Sequence, residues 1–227
     1  MGTLAIGRDG RRGQKEAKIV ATMIYHITHL DNLSGIIETG NLLSDRQMVD
    51  AGGHTVIGFN HIKRRRLEEI AVPCYPGTMV GDFVPFYFCP RSIMLYIIEK
   101  RRDELAYKGG QKEVVHLVSS VQSAMDAGCT CAFTPSSAAT KYNRNFHRKI
   151  EQLDEILDWD AIRTTNWGDP GVKDRKQAEF LTHDHFPWAA IESIGTFNAD
   201  VRDRVQAILA NTDHRPTVTV QGSWYYH

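Results

Sequence analysis

No apolar run among the 227 residues reaches the ~18 that a bilayer-crossing helix requires, so membrane attachment by a helix is not expected. The opening stretch, MGTLAIGRDGRRGQKEAKIVAT, has basic side chains but no apolar core, which argues against a secretory leader. Ile6 stands where myristoylation of Gly2 needs Ser or Thr. Cysteine is scarce: Cys74, Cys89, Cys129 and Cys131 give one C-x-C pair and no second pair at metal-ligand spacing. Reduced thiols in a cytoplasmic protein follow from this, with no disulfide framework and no metal. Excess charge is also missing, since 27 Lys and Arg balance 27 Asp and Glu. Bulk electrostatic coating of nucleic acid is thereby excluded, although a local basic groove is not. No G-x-G-x-x-G follows a strand, and G-x-x-x-x-G-K-[ST], H-E-x-x-H and G-x-S-x-G do not occur. A Rossmann fold, a P-loop, a zinc protease and a serine hydrolase are set aside together.

What is present reads as a globular chain, with 42% hydrophobic and 24% charged residues. Residues 1–22 are expected to be a flexible N-terminal extension and 23–227 one domain, with Met23 an equally good start. Strands are expected at 24–28, 83–90, 113–120, 131–135, 176–188, 190–198 and 217–226. Leu33, Ile36 and Ile37 share a helical face, with Asp31 as its N-cap and Gly40 as its stop. Further helices are expected at 92–102, 120–128, around Arg148–Leu157 and, with the clearest periodicity, at 199–211, and residues 61–72 read as a short helix or a loop that turns into one. Residues 41–58 read as loop. Strands and helices alternate without a βαβ rhythm, so the class is α+β.

Several residues could carry chemistry. His183 and His185 stand two apart, a spacing that on one strand would aim both the same way and suit a metal, with Glu179 at the same parity. Scattered surface and core histidines fit equally. KYNRNFHRK (141–149) interleaves cations with rings, as single-stranded nucleic acid binders do, or as a solvated helix face does. Lys63-Arg64-Arg65-Arg66 is the densest basic run, either a steering patch or the source of an arginine clamp. Glu179 interrupts a β-prone segment, where a carboxylate is unusual, as an edge residue or as a site residue. His26 in the first strand admits a core role or a functional one.

Taken together, IYHITHLDNLSGIIETGNLL, HIKRRR, DFVPFYFCPRSIMLY, VVHLVSS, LDWDAI and KQAEFLTHDHFPW resemble the DarT family, the toxins of toxin–antitoxin pairs. The resemblance runs from about residue 24 to the C-terminal WYY. It implies an ADP-ribosyltransferase-like split, mixed β-sheet core with flanking helices around an NAD cleft. It also implies transfer of ADP-ribose from NAD, as co-substrate, to thymine bases in single-stranded DNA with a sequence preference. The partner it implies is a macrodomain antitoxin that removes the mark. By motif, His26, Ile27 and Thr28 would contact nicotinamide and the adjoining ribose, and Gly35 and Leu43 would line the same cleft. Arg66 would be the catalytic arginine, with Arg65 the alternative register, and Glu179 the catalytic glutamate.

The chemistry agrees with these residue types. Cleavage at ribose C1′ builds an oxocarbenium-like transition state, which a fixed carboxylate stabilises, and nicotinamide leaves neutral without a general acid. A thymine ring nitrogen must lose a proton, and an arginine is a poor base for it, so an electrostatic role suits Arg66 better. The stretch from 136 to Glu179 is long for a connection and would be the substrate-recognition loop, with Tyr142, Arg144, Arg148 and Trp167 gripping DNA. Competing readings are an RNA or protein acceptor, a non-catalytic nucleic-acid-binding module, and a metal-dependent hydrolase built on His183 and His185.

Overall fold

A computed structural model describes residues 22–51, 53–140 and 145–227. The expectation for residues 1–22 therefore falls outside the described residues except at Thr22. The strands are β1 (Met23–His29), β2 (Asn41–Leu43), β3 (Phe83–Tyr87), β4 (Val114–Ser120), β5 (Cys131–Thr134), β6 (Glu179–His183), β7 (His185–Pro187), β8 (Ser193–Thr196) and β9 (Thr217–Val220). The helices are α1 (Leu33–Thr39), α2 (Asp45–Ala51), α3 (Asn60–Glu68), α4 (Ile93–Glu99), α5 (Val121–Asp126), α6 (Leu153–Ile156), α7 (Trp159–Arg163), α8 (Pro170–Arg175) and α9 (Ala199–Leu209).

Seven strands form one mixed sheet in the order β5-β6-β3-β1-β4-β8-β9, and β2 pairs with β7 in a small second sheet. Every residue of β4 is buried, as expected for VVHLVSS near the middle of a sheet covered on both faces. Strand β1 pairs with β4 along its whole length, from Met23↔Ser120 to His29↔Val114. On its other side β1 meets β3 at a single pair, Tyr25↔Tyr87. Beyond that pair the two strands part, so the sheet is split between a β5-β6-β3 half and a β1-β4-β8-β9 half. This is the split, mixed α+β arrangement that the resemblance implied, and the cleft it opens positions the site.

The largest apolar cluster joins Ile24, Phe86, Leu117, Phe133, Phe180 and Ile194 under α9, whose Val201, Val205 and Leu209 form one stripe as the 3.6-residue period requires. Helix α3 is the opposite case. Its one buried side chain is Arg66, so ionic contacts and a close backbone approach, more than apolar burial, hold it in place.

Some local expectations were off. Residues 41–58 are not simply loop, because Asn41–Leu43 pairs with His185–Pro187 and Asp45–Ala51 is helical. Asp31 does not cap α1. A 3-10 turn at Leu30–Asn32 intervenes, and the His29 ring accepts from the Asp31 N–H at 3.2 Å. The segment 176–188 is not one strand: it breaks at Asp184 (φ 61°), whose N–H donates to Asp82 O and whose carbonyl accepts from Ser44 N–H, each at 2.8 Å. That break puts His183 in the main sheet and His185 in the small one, so the shared face that the metal reading needed is lost. Residues 221–226 leave β9 through a turn at Gly222–Trp224 and bury Tyr225 and Tyr226.

Candidate active site in the split of the sheet

The parting of β1 and β3 creates a cavity of about 510 Å³, within the range of small-molecule sites. His26, Ile27 and Thr28 form its β1 wall, and Gly35 of α1, Leu43 of β2 and Arg66 of α3 complete it. These are the six positions that the motifs assigned to NAD, brought together from four elements. Glu179 stands at the start of β6, directly opposite Tyr87 of β3 and Thr134 of β5.

Glu179 is 4% exposed and Arg66 7%. The Arg66 Nη1 donates to Glu179 Oε2 at 3.0 Å, while Asp45 Oδ2 lies 3.8 Å from Arg66 Nε. Burial works against the guanidinium charge, but Glu179 and Asp45 outweigh it and raise the Arg66 pKa above its ordinary value. Arg66 is thus a permanent cation. Its Nε and Nη2 are buried yet have no hydrogen-bond partner. Buried donors are rarely left so, and here they fit acceptor oxygens of a ligand in the cavity that Arg66 lines.

The other Glu179 oxygen, Oε1, accepts from the Ala138 N–H at 2.9 Å and lies 3.5 Å from Ser137 Oγ. A carboxylate offers about four acceptor positions, so these three donors leave room at Oε2 for a substrate hydroxyl. The Ala138 loop is itself tied to α3, because Arg65 Nη2 donates to Ala139 O at 2.9 Å. The two adjacent arginines therefore do different work: Arg66 holds the carboxylate and Arg65 holds the loop that caps it.

His26 Nδ1 lies 2.8 Å from Pro85 O across the splayed strands. A carbonyl only accepts, so Nδ1 carries the proton. Burial lowers the His26 pKa and keeps the ring neutral, which leaves the Nε2 lone pair available. Burial, and then the charge of Glu179, raise the Tyr87 phenol well above its usual pKa, so Tyr87 remains a proton-bearing donor on the cavity wall. Asn32 closes one side: its Nδ2 donates to Thr28 Oγ1 (3.0 Å) and Thr55 O (2.9 Å), and its Oδ1 accepts from Thr55 N–H (2.8 Å).

The family model described as "ssDNA thymidine ADP-ribosyltransferase, DarT" matches residues 25–226. The chain belongs to the DarT family. A DNA ADP-ribosyl transferase of Thermus sp. (strain 2.9) is 45% identical over 167 residues, 73% of this chain and 77% of the relative. The solved structure of Thermus sp. 2.9 DarT in complex with ADP-ribosylated ssDNA superposes with a TM-score of 0.83 at 41% identity, covering 90% of this chain and 96% of that one. The structure of Thermus sp. 2.9 DarT in complex with NAD+ gives a TM-score of 0.79 at 40% identity, with 90% and 98% coverage.

The residues expected to grip DNA are more dispersed than the cleft residues. Tyr142 and Arg144 lie outside the described residues. Arg148 is exposed, with Cys74 and Tyr75 as electrostatic neighbours. Trp167 is half-buried edge-on against Tyr96 at 4.9 Å and does not line the cavity in the split of the sheet. Among the described residues no cluster of three His, Cys, Asp or Glu side chains is arranged to hold a metal ion. Among them, too, no helix is long and apolar enough to cross a membrane.

Sequence reading missed Tyr87, Asp45, Asn32 and Ala138. Tyr87 was absorbed into an aromatic strand, although its parity with Phe83 and Pro85 set it on the Glu179 face. Asp45 lay in residues read as loop. Ala138 acts through its backbone N–H and leaves no side-chain signal.

Proposed function

We propose that Arg66 and Glu179 catalyse the transfer of ADP-ribose from NAD, bound in the split of the sheet, to a thymine base of single-stranded DNA. The observation that carries this reading is the buried Arg66–Glu179 pair, with two Arg66 nitrogens that make no hydrogen bond, at a cavity lined by His26, Ile27 and Thr28.

In this reading the C1′–N bond to nicotinamide breaks and its electron pair leaves with neutral nicotinamide. Glu179 stabilises the cationic ribose and accepts a hydrogen bond from its 2′-hydroxyl at the remaining Oε2 position. The thymine ring nitrogen forms the new bond to C1′ and gives up its proton to solvent water. Arg66 cannot take that proton while Glu179 and Asp45 hold it charged. It faces negative charge instead, on thymine or on the NAD phosphates, through Nε and Nη2. Holding donor and acceptor in line contributes up to ~7–11 kcal/mol of the barrier reduction. His26, Thr28, Gly35 and Leu43 shape the nicotinamide end, with Tyr87 a further donor. The residues after β5, with Tyr142, Arg144, Arg148 and Trp167, supply DNA contacts.

We place the enzyme in the cytoplasm as the toxin of a toxin–antitoxin pair, with a macrodomain antitoxin as its partner. Mass spectrometry of thymine-bearing and thymine-free single-stranded oligonucleotides, each incubated with protein and NAD, tests the reaction. A gain of one ADP-ribose on the thymine-bearing strand alone is expected. Nicotinamide release with no DNA product would move the acceptor to RNA or protein.

A further inference from the structure

A second cavity, of about 320 Å³, lies beyond the Tyr25–Tyr87 junction, on the side away from the cleft. Tyr25 lines this one and Tyr87 lines the first. Cys89, two residues past Tyr87, and Lys176, three residues before Glu179, are on its wall. Tyr25 pairs with Tyr87, and Tyr87 with Glu179, so the cavity adjoins the strand row that holds Glu179.

The wall carries three cations, Arg91, Arg163 and Lys176, and no carboxylate. Lys176 is 3% exposed. Its Nζ donates to Ile162 O at 2.8 Å and lies 3.6 Å from Cys89 Sγ, a weak acceptor, and among the described residues no carboxylate pairs with it. An ammonium is costly to bury without an anion, so the site is one anion short. Arg91 stacks its guanidinium 4.6 Å above the Tyr226 ring. Arg163 pairs with Asp160 at 2.9 Å, but those side chains are 67% and 97% exposed, so the contact is weak and exchangeable. The Trp224 and Tyr25 rings meet edge-to-face at 5.4 Å on the same wall, both half-buried.

We propose that this cavity is a nucleotide subsite for single-stranded DNA, in which Arg91, Arg163 and Lys176 hold one phosphate and Trp224 offers a ring to the attached base. The pairing of clustered cations with an aromatic side chain is the general device for single strands. Its position assigns it to a nucleotide neighbouring the modified thymine. The inference rests on the DNA-modifying reading for its biological sense, but its test does not depend on catalysis.

Fluorescence anisotropy of a labelled thymine-bearing single strand, with the full chain, gives direct binding. Arg91→Gln/Arg163→Gln is expected to weaken binding about tenfold and to flatten the dependence of log affinity on log salt by about 1. The NAD-induced rise in melting temperature reports whether the double variant remains folded and cleft-competent. Lys176→Arg, which keeps the buried charge, is expected to retain most of the affinity. Oligonucleotides neutralised at one linkage by a methylphosphonate locate the contact: one linkage next to the target thymine should weaken wild-type binding and have no further effect in the double variant. Inorganic phosphate at millimolar concentration should compete with the strand for wild-type protein and not for the variant. Wild-type affinity and salt slope in a folded double variant, or a methylphosphonate effect that adds to the variant's, would overturn the subsite. Strand binding without transfer in the wild type would instead count against the proposed reaction and leave the subsite to be judged by these data.

Discussion

Gly81→Ala is a small change far from the reacting atoms that should disable the site. The turn Val80–Asp82 packs directly on α3, and a Cβ at Gly81 would lie 2.8 Å from Leu67 Cα and 2.7 Å from Leu67 Cδ2. Carbon atoms in contact prefer about 3.5–4.0 Å. The Leu67 side chain can rotate away, but its Cα can move only with the helix, so α3 must retreat by about 0.7–1.2 Å. Arg46 resists that movement, since it donates to Leu67 O at 2.8 Å and to Asp82 Oδ1 at 2.9 Å. Arg66 is the next residue along α3, and its 3.0 Å bond to Glu179 would stretch past hydrogen-bonding range. A misplacement of about 1 Å at a catalytic group costs on the order of 10²-fold in rate. Overpacking itself should cost about 1–3 kcal/mol of stability. The assay is kcat for transfer to a single-stranded oligonucleotide, beside a melting curve. The expected result is a folded enzyme with a slightly lower Tm and kcat reduced about a hundredfold. A lowered Tm with unchanged kcat would show that the packing of α3 does not set the position of Arg66.

Three other perturbations probe separate parts of the account. Gly35 of α1 has open space where a Cβ would go, so Gly35→Leu should gain up to ~1 kcal/mol of helix stability yet fill the cavity. A raised Tm with a KM for NAD at least tenfold higher is expected in a thermal melt paired with initial rates. Arg65→Ala frees the loop that presents the Ala138 N–H to Glu179. A kcat about tenfold lower with KM for NAD unchanged, partly rescued by Arg65→Lys, is expected, in keeping with the ~1.5–3 kcal/mol of a hydrogen bond to a charged group. His116 is fully buried between Pro90 O and the Tyr225 hydroxyl, and burial lowers its pKa from 6.5 to about 4. The unfolded chain then binds the proton more readily, so stability is complete above pH 6.5 and declines as pH falls from there toward 4. The loss is on the order of 3 kcal/mol, read as a fall in denaturant midpoint that His116→Gln should flatten.

Periodicity and residue type reached the class of the fold and most of its elements. They reached α9, β4 and the buried run of β3 because apolar spacing there is dictated by what each element packs on. They did not reach β2 and α2: β2 has only three residues, too few to show a period, α2 is mostly polar, and both take their place from pairing with β7 and from the turn at Asp184. The splitting of the sheet is equally hidden, since it rests on a single β1–β3 pair at Tyr25↔Tyr87, a matter of tertiary register. Within the site, Arg66 and Glu179 were named from a family resemblance, 113 residues apart in the chain. Bare residues left both with a bland alternative. The distinct tasks of Arg65 and Arg66 could not be read from three identical letters in a row, because they depend on which way α3 turns toward Glu179 and toward the Ala138 loop.

The claim at the centre of the account is that Glu179 acts on the reaction and not on the fold or the donor. Glu179→Ala, incubated with NAD and a thymine-bearing single strand and read by intact-oligonucleotide mass spectrometry, is the most direct test. NAD binding is followed in parallel by calorimetry. The account predicts a folded protein that binds NAD within a few-fold of wild type and adds no ADP-ribose to the strand. Transfer at the wild-type rate by that variant would contradict it.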